Sequence, residues 1–370
     1  MNLFAWFWSF CVVAGVLYTA LIVWFINGWN SIPVFHRKNK IYSTKVSVIV
    51  PFYNSGSSLK KCIEGLIHQN IQTTEYEIIL VNDHSVDESE AIAKEFAEKY
   101  RRVIFLQNEK KGKKQALLNG ISNSTGDLIV TTDADCSHPE FWLANIVEYY
   151  ELHKPNMVVG PVALKTGKSL FQKFQQIEFV SLVASGAGAI GINHPVMCNG
   201  ANLAFKKSVF LELDNPFNLK YSSGDDVFLL HSMKKVDANK IHFLKSADAT
   251  VVTQAAKNIK SLFKQRNRWV SKTQGYADGD TKFTAFVVFA ASFLLVTGLG
   301  LIVYNVNFWK PVLFLFLLKT VVDTLFLNQV SSFFKQKKLI KWVTVFELFY
   351  VFYVTITVMS LFFGKRKPTR

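Results

Sequence analysis

Two carboxylates one residue apart, Asp133 and Asp135, lie in the run Thr131-Thr132-Asp133-Ala134-Asp135. The run directly follows the buried-strand pattern Gly126-Asp127-Leu128-Ile129-Val130. At a strand's end such a pair can converge on a hard divalent cation, which prefers oxygen ligands. A cation held there can neutralise a diphosphate, as departure of a sugar from a nucleotide donor requires. Alone the pair says little, because acidic pairs in solvated loops are common. It gains weight from other charged sites that occur in a consistent order along the chain.

Val50-Pro51-Phe52-Tyr53-Asn54 ends a strand on Pro51 and an aromatic, Tyr53, which can wall a nucleobase; a plain strand-turn junction is the simpler alternative. Asp83, in Val81-Asn82-Asp83-His84-Ser85, can accept hydrogen bonds from a base or ribose edge. A cap for the helix from Glu88 is the competing role, which Ser85 or Asp87 could fill equally well. Lys110-Lys111-Gly112-Lys113-Lys114 combines close approach at Gly112 with point charges for phosphate. A solvated charged face is the ordinary reading of such a run. In Gly224-Asp225-Asp226, one carboxylate can take the proton of an acceptor hydroxyl while Asp225 caps the helix Val227 to Met233. Last comes Gln265-Arg266-Asn267-Arg268-Trp269, with arginine for pyrophosphate and tryptophan for stacking or for the membrane interface.

These residues need a frame that gathers strand ends. Val46 to Val50, Tyr76 to Val81, Val103 to Gln107 and Leu128 to Thr132 read as strands. They alternate with helices over Ser57 to Ile67 (capped by Ser57 or Ser58), Glu88 to Lys99 and Gln115 to Ser122. The alternation predicts an α/β fold with a mostly parallel, doubly wound sheet. Ligands of such sheets sit beyond the strands' carboxyl ends, where strand order switches. Tyr53, Asp83 and Asp135 all follow strands.

The 370 residues are 50% hydrophobic, with the excess at the two ends. Leu3 to Ile26 carries no charge and has the length of a membrane-spanning helix. His36-Arg37-Lys38-Asn39-Lys40 follows it, which by the positive-inside tendency places the N-terminus outside and the next segment in the cytoplasm. Further apolar segments run over about Phe283 to Val303, Val312 to Val330 and Trp342 to Phe363. The middle one holds Lys319 and Asp323, spaced to pair along a helix as either a functional or a mutually satisfied structural pair. Four full spans put both termini outside. Yet Lys365-Arg366-Lys367 and the cluster Lys335, Lys337, Lys338 and Lys341 are both basic, so one segment is expected to lie in the interface or to re-enter. Ile259 to Lys272 is basic and amphipathic, suited to the membrane surface.

The division expected is therefore an anchor and linker over 1–43, a catalytic domain over 44–254, an interfacial segment over 255–280 and further spans over 281–370. The net charge of +15 suits anionic lipid or a phosphorylated substrate. Nucleic acid is disfavoured because the lysines are dispersed and the basic clusters flank membrane segments. Cys11, Cys62, Cys136 and Cys198 are scattered without metal-type pairs and read as free thiols of a reducing compartment.

Taken in order, Asp83, then Asp133 with Asp135, then Asp226, then Gln265-Arg266-Asn267-Arg268-Trp269 resemble the spaced signature of membrane-bound inverting glycosyltransferases of family 2. That family includes ceramide glucosyltransferase, cellulose synthase and hyaluronan synthase. The resemblance covers about two-thirds of the chain and implies the nucleotide-sugar fold called GT-A. It implies that Asp83 binds the nucleoside, and that Asp135 with Asp133 holds a divalent metal (Mn²⁺ or Mg²⁺) on the diphosphate. Asp226 is then the general base, and Gln265, Arg268 and Trp269 shape the diphosphate and acceptor site. Pro51 and Tyr53 match the opening strand motif and Lys113 the Gly-Lys element. Asn199 and Gly200 fall where relatives shape the acceptor side. Gly224-Asp225-Asp226 replaces the usual Glu-Asp, and Asn119 stands one place later than its counterpart. The activity expected is transfer from a nucleotide-diphosphate sugar, a UDP-sugar, to a lipid hydroxyl with inversion, at a bacterial inner membrane with a cytoplasmic catalytic domain. The alternative is a processive polysaccharide synthase. A scaffold that lost its chemistry is disfavoured because no signature carboxylate is missing. A transporter is disfavoured by the large polar domain.

Overall fold

The computed structural model describes residues 3–38, 41–71 and 76–363. Asn39 and Lys40 of the first basic cluster and the tail Lys365-Arg366-Lys367 therefore lie outside the described residues. The chain forms two compact units. An α/β unit takes Ile32–Lys165 and Asn193–Ala255, and a helical unit takes the residues up to Ser31, Thr166–Ile192 and those from Ala256 on.

The α/β unit contains β1 (Val46–Phe52), β2 (Tyr76–Asn82), β3 (Val103–Gln107), β4 (Leu128–Thr131), β5 (Met157–Val159), β6 (Val162–Leu164), β7 (Leu203–Lys206), β8 (Ile241–Phe243) and β9 (Val251–Thr253). Seven of them form one sheet in the order β3-β2-β1-β4-β7-β5-β8, and β6 pairs with β9. All pairings in the large sheet are parallel except those of β7, which runs antiparallel to β4 and β5. Every residue of β1 and β4 is buried, which is why both read as unbroken apolar runs rather than alternating ones. From β1 the order runs one way to β2 and β3, and the other way to β4. The switch thus falls between β1 and β4, and Tyr53 and Asp133 lie just past these two strands.

The expected strands are present, and the helices differ at their starts. The first begins at Gly56, and neither Ser57 nor Ser58 caps it. Ser55 occupies the cap position, and the Ser58 hydroxyl donates to the Ser55 carbonyl. The helix Ser89–Lys99 is closed by Asp87, which accepts from the Ser89 N–H at 3.1 Å. The third helix, Lys113–Ser122, starts two residues early, which puts Lys113 in its first turn.

Among the described residues the helical unit has four helices long and apolar enough to cross a membrane: Leu3–Ser31, Gly279–Tyr304, Val306–Ser331 and Lys337–Ser360. It also contains a helix that the sequence pattern did not announce, Leu170–Gly191, opened by a capping box between Ser169 and Gln172. This helix lies within the expected span 44–254 but packs against the N-terminal helix. The two backbones approach so closely that a Cβ on Gly188 would lie 2.3 Å from the Phe25 carbonyl oxygen. One on Gly28 would lie 1.9 Å from the Gly188 oxygen, and Ser31 donates to the Gly191 carbonyl at 3.0 Å. Small residues allow such contact in helix pairs. Gly188→Leu is expected to lower the thermal midpoint in detergent, at a cost of about 1–3 kcal/mol from overpacking. Gly300→Leu, where a Cβ meets nothing within 4 Å, is expected to leave it unchanged.

Lys319 and Asp323 pair as spaced, Nζ to Oδ2 2.7 Å, but they are not alone. Glu347 approaches Nζ at 2.5 Å, and the Tyr18 hydroxyl donates to Asp323 at 2.8 Å. The cluster thus cross-links three helices of this unit, which favours the structural reading of the pair.

Candidate active site

The carboxyl ends of β1, β2 and β4 carry the groups singled out by their spacing. Pro51 is buried in β1, and Tyr53 just beyond is half exposed. The loop after β1 is stitched to the loop after β2: Ser85 Oγ accepts from the Asn54 N–H at 3.1 Å, and Asn54 Oδ1 accepts from the Val86 N–H at 2.8 Å. Asn54 and His84 both hold left-handed backbone, at φ 46° and 64°. That conformation costs a side-chain-bearing residue energy and persists only where neighbours enforce it.

Asp83 accepts from the Gly112 N–H through both oxygens, at 2.8 and 2.9 Å, and from Asn108 Nδ2 at 2.9 Å. It therefore fastens the basic loop rather than capping the helix from Ser89. The next residue, Lys113, reaches across to Asp133 Oδ1 at 2.6 Å and to Asp225 Oδ2 at 3.3 Å. Crowding by protein opposes its charge, but Asp133 and then Asp225 outweigh this and hold the ammonium above the ordinary lysine range.

Asp225 and Asp226 open the helix Asp225–Asp237 after Gly224, whose φ of 87° makes the turn into it. The expected capping by Asp225 is not what occurs, since Asp225 is itself the first helical residue and turns to Lys113. Asp226 accepts from the Val227 N–H at 2.8 Å and from the Gly200 N–H at 3.3 Å. Gly200 abuts this group: a Cβ there would lie 3.3 Å from Asp225 Oδ2 and 3.6 Å from Lys113 Nζ. Its carbonyl accepts from Thr131 at 3.2 Å, and that of Ala201 accepts from Thr132 at 2.8 Å. Asn199 is occupied locally, accepting from the Ala201 N–H at 3.0 Å. The end of β4 and the start of the Asp225 helix are thus tied together through one short segment.

Asp133 and Asp135 offer ligand atoms within 4.8 Å of each other, and the Cys136 sulfur joins them within the same limit. Two hard carboxylates with a neighbouring thiol suit Mn²⁺ as well as Mg²⁺. A cationic ammonium already lies against Asp133, so the donor set fits a positive ion. Crowding, and then the Asp133 charge, raise the Asp135 carboxyl above its usual range, a condition that a bound cation would relieve.

Gln265, Arg268 and Trp269 belong to the helical unit, on the helix Ile259–Ser271. Arg266, between them, is buried against Glu178 of the helix Leu170–Gly191 and lies over the Trp269 ring at 4.0 Å. Arg268 is exposed.

Residues 47–212 match the model of glycosyl transferase family 2. This segment is thus a family 2 glycosyltransferase domain. Over 238 residues (60% of the chain) it is 28% identical to the minor teichoic acid biosynthesis protein GgaB of Bacillus subtilis, spanning 25% of that protein. Over 147 residues (40% of each) it is 30% identical to the dolichol-phosphate mannosyltransferase of Pyrococcus furiosus. The chain thus spans less than half the length of either relative. Among solved structures, the mannosyltransferase PcManGT from Pyrobaculum calidifontis, in complex with GDP-Man and Mn²⁺, shares the fold. Its TM-score is 0.58 at 15% identity, covering 95% of this chain and 99% of that one.

Sequence reasoning overlooked three residues. Cys136 was grouped with scattered thiols, although it directly follows the acidic pair. Glu178 is a lone acid in an apolar stretch, which is the usual mark of a buried partner waiting elsewhere. Arg266 stood unremarked between two residues that were singled out.

Proposed function

We propose that this glycosyltransferase transfers a sugar from a nucleoside-diphosphate donor, a UDP-sugar, to a lipid hydroxyl with inversion at the anomeric carbon. The observation that carries the reading is the convergence of Lys113, Asp133, Asp225, Asp226 and Gly200 beyond the ends of β1 and β4. Asp226 removes the acceptor proton, the acceptor oxygen bonds to the anomeric carbon, and the bond to the diphosphate oxygen breaks on the opposite face. Two backbone N–H groups orient the base. Asp133 and Asp135 would hold a divalent cation, which when bound supplies charge neutralisation for the leaving diphosphate. Lys113 adds positive charge at the leaving-group end of the reaction. Asp83 with Pro51 and Tyr53 bounds the nucleoside. Gln265 and Trp269 shape the acceptor side.

The catalytic module of this reading is 44–254, with 255–280 at the interface. It faces the cytoplasm of a bacterial inner membrane, as His36-Arg37-Lys38 after the first apolar helix favours. A lipid acceptor is supported by the four apolar helices and by the name of the dolichol-phosphate relative.

The test is nucleotide release by full-length protein in detergent, with UDP- and GDP-sugars, Mn²⁺ or Mg²⁺, and extracted lipids. Lipid-dependent UDP release is the expected result, and Asp135→Asn should reduce it by about two orders of magnitude. GDP release instead would correct the donor. Lipid-independent synthesis of a long polymer would move the reading to a processive synthase.

A further inference from the structure

Lys113 stands where a metal site and a base site meet. Its backbone is fixed: Asp83 grips the preceding N–H through both oxygens, and Lys113 itself opens a helix. Its ammonium is the mobile end, on a flexible four-carbon stem whose side chain is 38% exposed. That end bridges Asp133 Oδ1 at 2.6 Å and Asp225 Oδ2 at 3.3 Å, so one of the two carboxylates of the metal pair already has a cation beside it. A divalent ion approaching Asp133 meets a like charge about a hydrogen bond away, and the two compete for one oxygen.

We infer that Lys113 is an internal counter-cation, paired with Asp133 before the metal binds and exchanged for the divalent cation when the donor arrives. The donor's diphosphate supplies the ammonium with a new partner, so donor and metal each favour the other's binding. The metal pair is thereby kept neutralised between turnovers, with the acidic Asp133 and Asp225 bridged rather than repelling each other. The inference rests on the metal role proposed above for Asp133 and Asp135, and it concerns only the order and coupling of binding.

The test uses Mn²⁺ alone, titrated into full-length protein in detergent, with free Mn²⁺ followed by electron paramagnetic resonance. Lys113→Met is expected to bind Mn²⁺ roughly five-fold more tightly than the wild type, the scale of one partly exposed ion pair. UDP affinity at saturating Mn²⁺ is expected to fall in the same variant, because a phosphate-binding charge is gone. Lys113→Arg, which keeps the charge, should bind Mn²⁺ as the wild type does. Unchanged or weaker Mn²⁺ binding by Lys113→Met overturns the inference and leaves the metal assignment standing, provided Asp135→Asn loses the ion. Absence of Mn²⁺ binding by wild type and Lys113→Met alike overturns both.

Discussion

Asp226→Asn is expected to lower sugar transfer about a thousandfold, the middle of the range for removing a general base. The substitution keeps the shape, and its one amide oxygen can keep the 2.8 Å bond from Val227, while the longer 3.3 Å bond from Gly200, which goes to the other oxygen, is given up. What is lost is the capacity to take a proton. Donor affinity and thermal unfolding should therefore stay near wild type while kcat falls. Turnover in the variant within threefold of wild type would remove Asp226 from the role of base. Asp225, turned toward Lys113, would be the next residue to examine.

Glu178→Leu is expected to be the most destabilising single change outside the catalytic groups. Glu178 and Arg266 side chains are 6% and 5% exposed and pair directly, from positions 88 residues apart. Removing one partner leaves an uncompensated buried charge, which typically costs about 3–5 kcal/mol. Arg266 has little in reserve, since its Nε makes no hydrogen bond among the described residues and its other close neighbours are the Trp269 ring, Gln265 Oε1 at 3.4 Å and the Tyr353 hydroxyl, none of them an anion. The double variant Glu178→Leu/Arg266→Leu should recover most of the loss, because an apolar pair of similar volume avoids the desolvation cost. Denaturant unfolding of the two single variants and the double variant in detergent measures the coupling. Additive losses would show that the two side chains act independently.

The α/β frame was legible because its signals are local. Buried parallel strands announce themselves as apolar runs, and the acidic pair follows one of them directly. Asp226 was legible because a carboxylate at a helix start is conspicuous beside Gly224. The way these groups are joined was not legible. Nothing near Asp83 in the sequence shows that it holds Gly112, and nothing near Lys113 shows that it bridges Asp133 and Asp225. Such partners are chosen by tertiary closure, not by spacing. The helix Leu170–Gly191 was missed for a related reason. It mixes buried glutamines and Glu178 with apolar residues on more than one face, so no single stripe marks it. Glu347 was hidden in the same way: only the fold shows that it meets Lys319.

The placement of the helix Leu170–Gly191 between β6 and β7 bears on how the chain is made. Ser31 and Gly191 are hydrogen-bonded yet 160 residues apart, so the first apolar helix emerges long before the surface it packs on. Until then its glycine-lined face has no protein partner. The sheet waits too. β7 is the strand that joins β4 to β5, and it is synthesised only after the inserted helix. A nascent chain that stops at residue 192 holds β1 to β5 but lacks the strand that joins β5 to the sheet of β1 to β4, and β6 still lacks its partner β9. Neither unit can close before the other has begun. Their folding is therefore interleaved during synthesis rather than sequential, unlike that of domains encoded one after another.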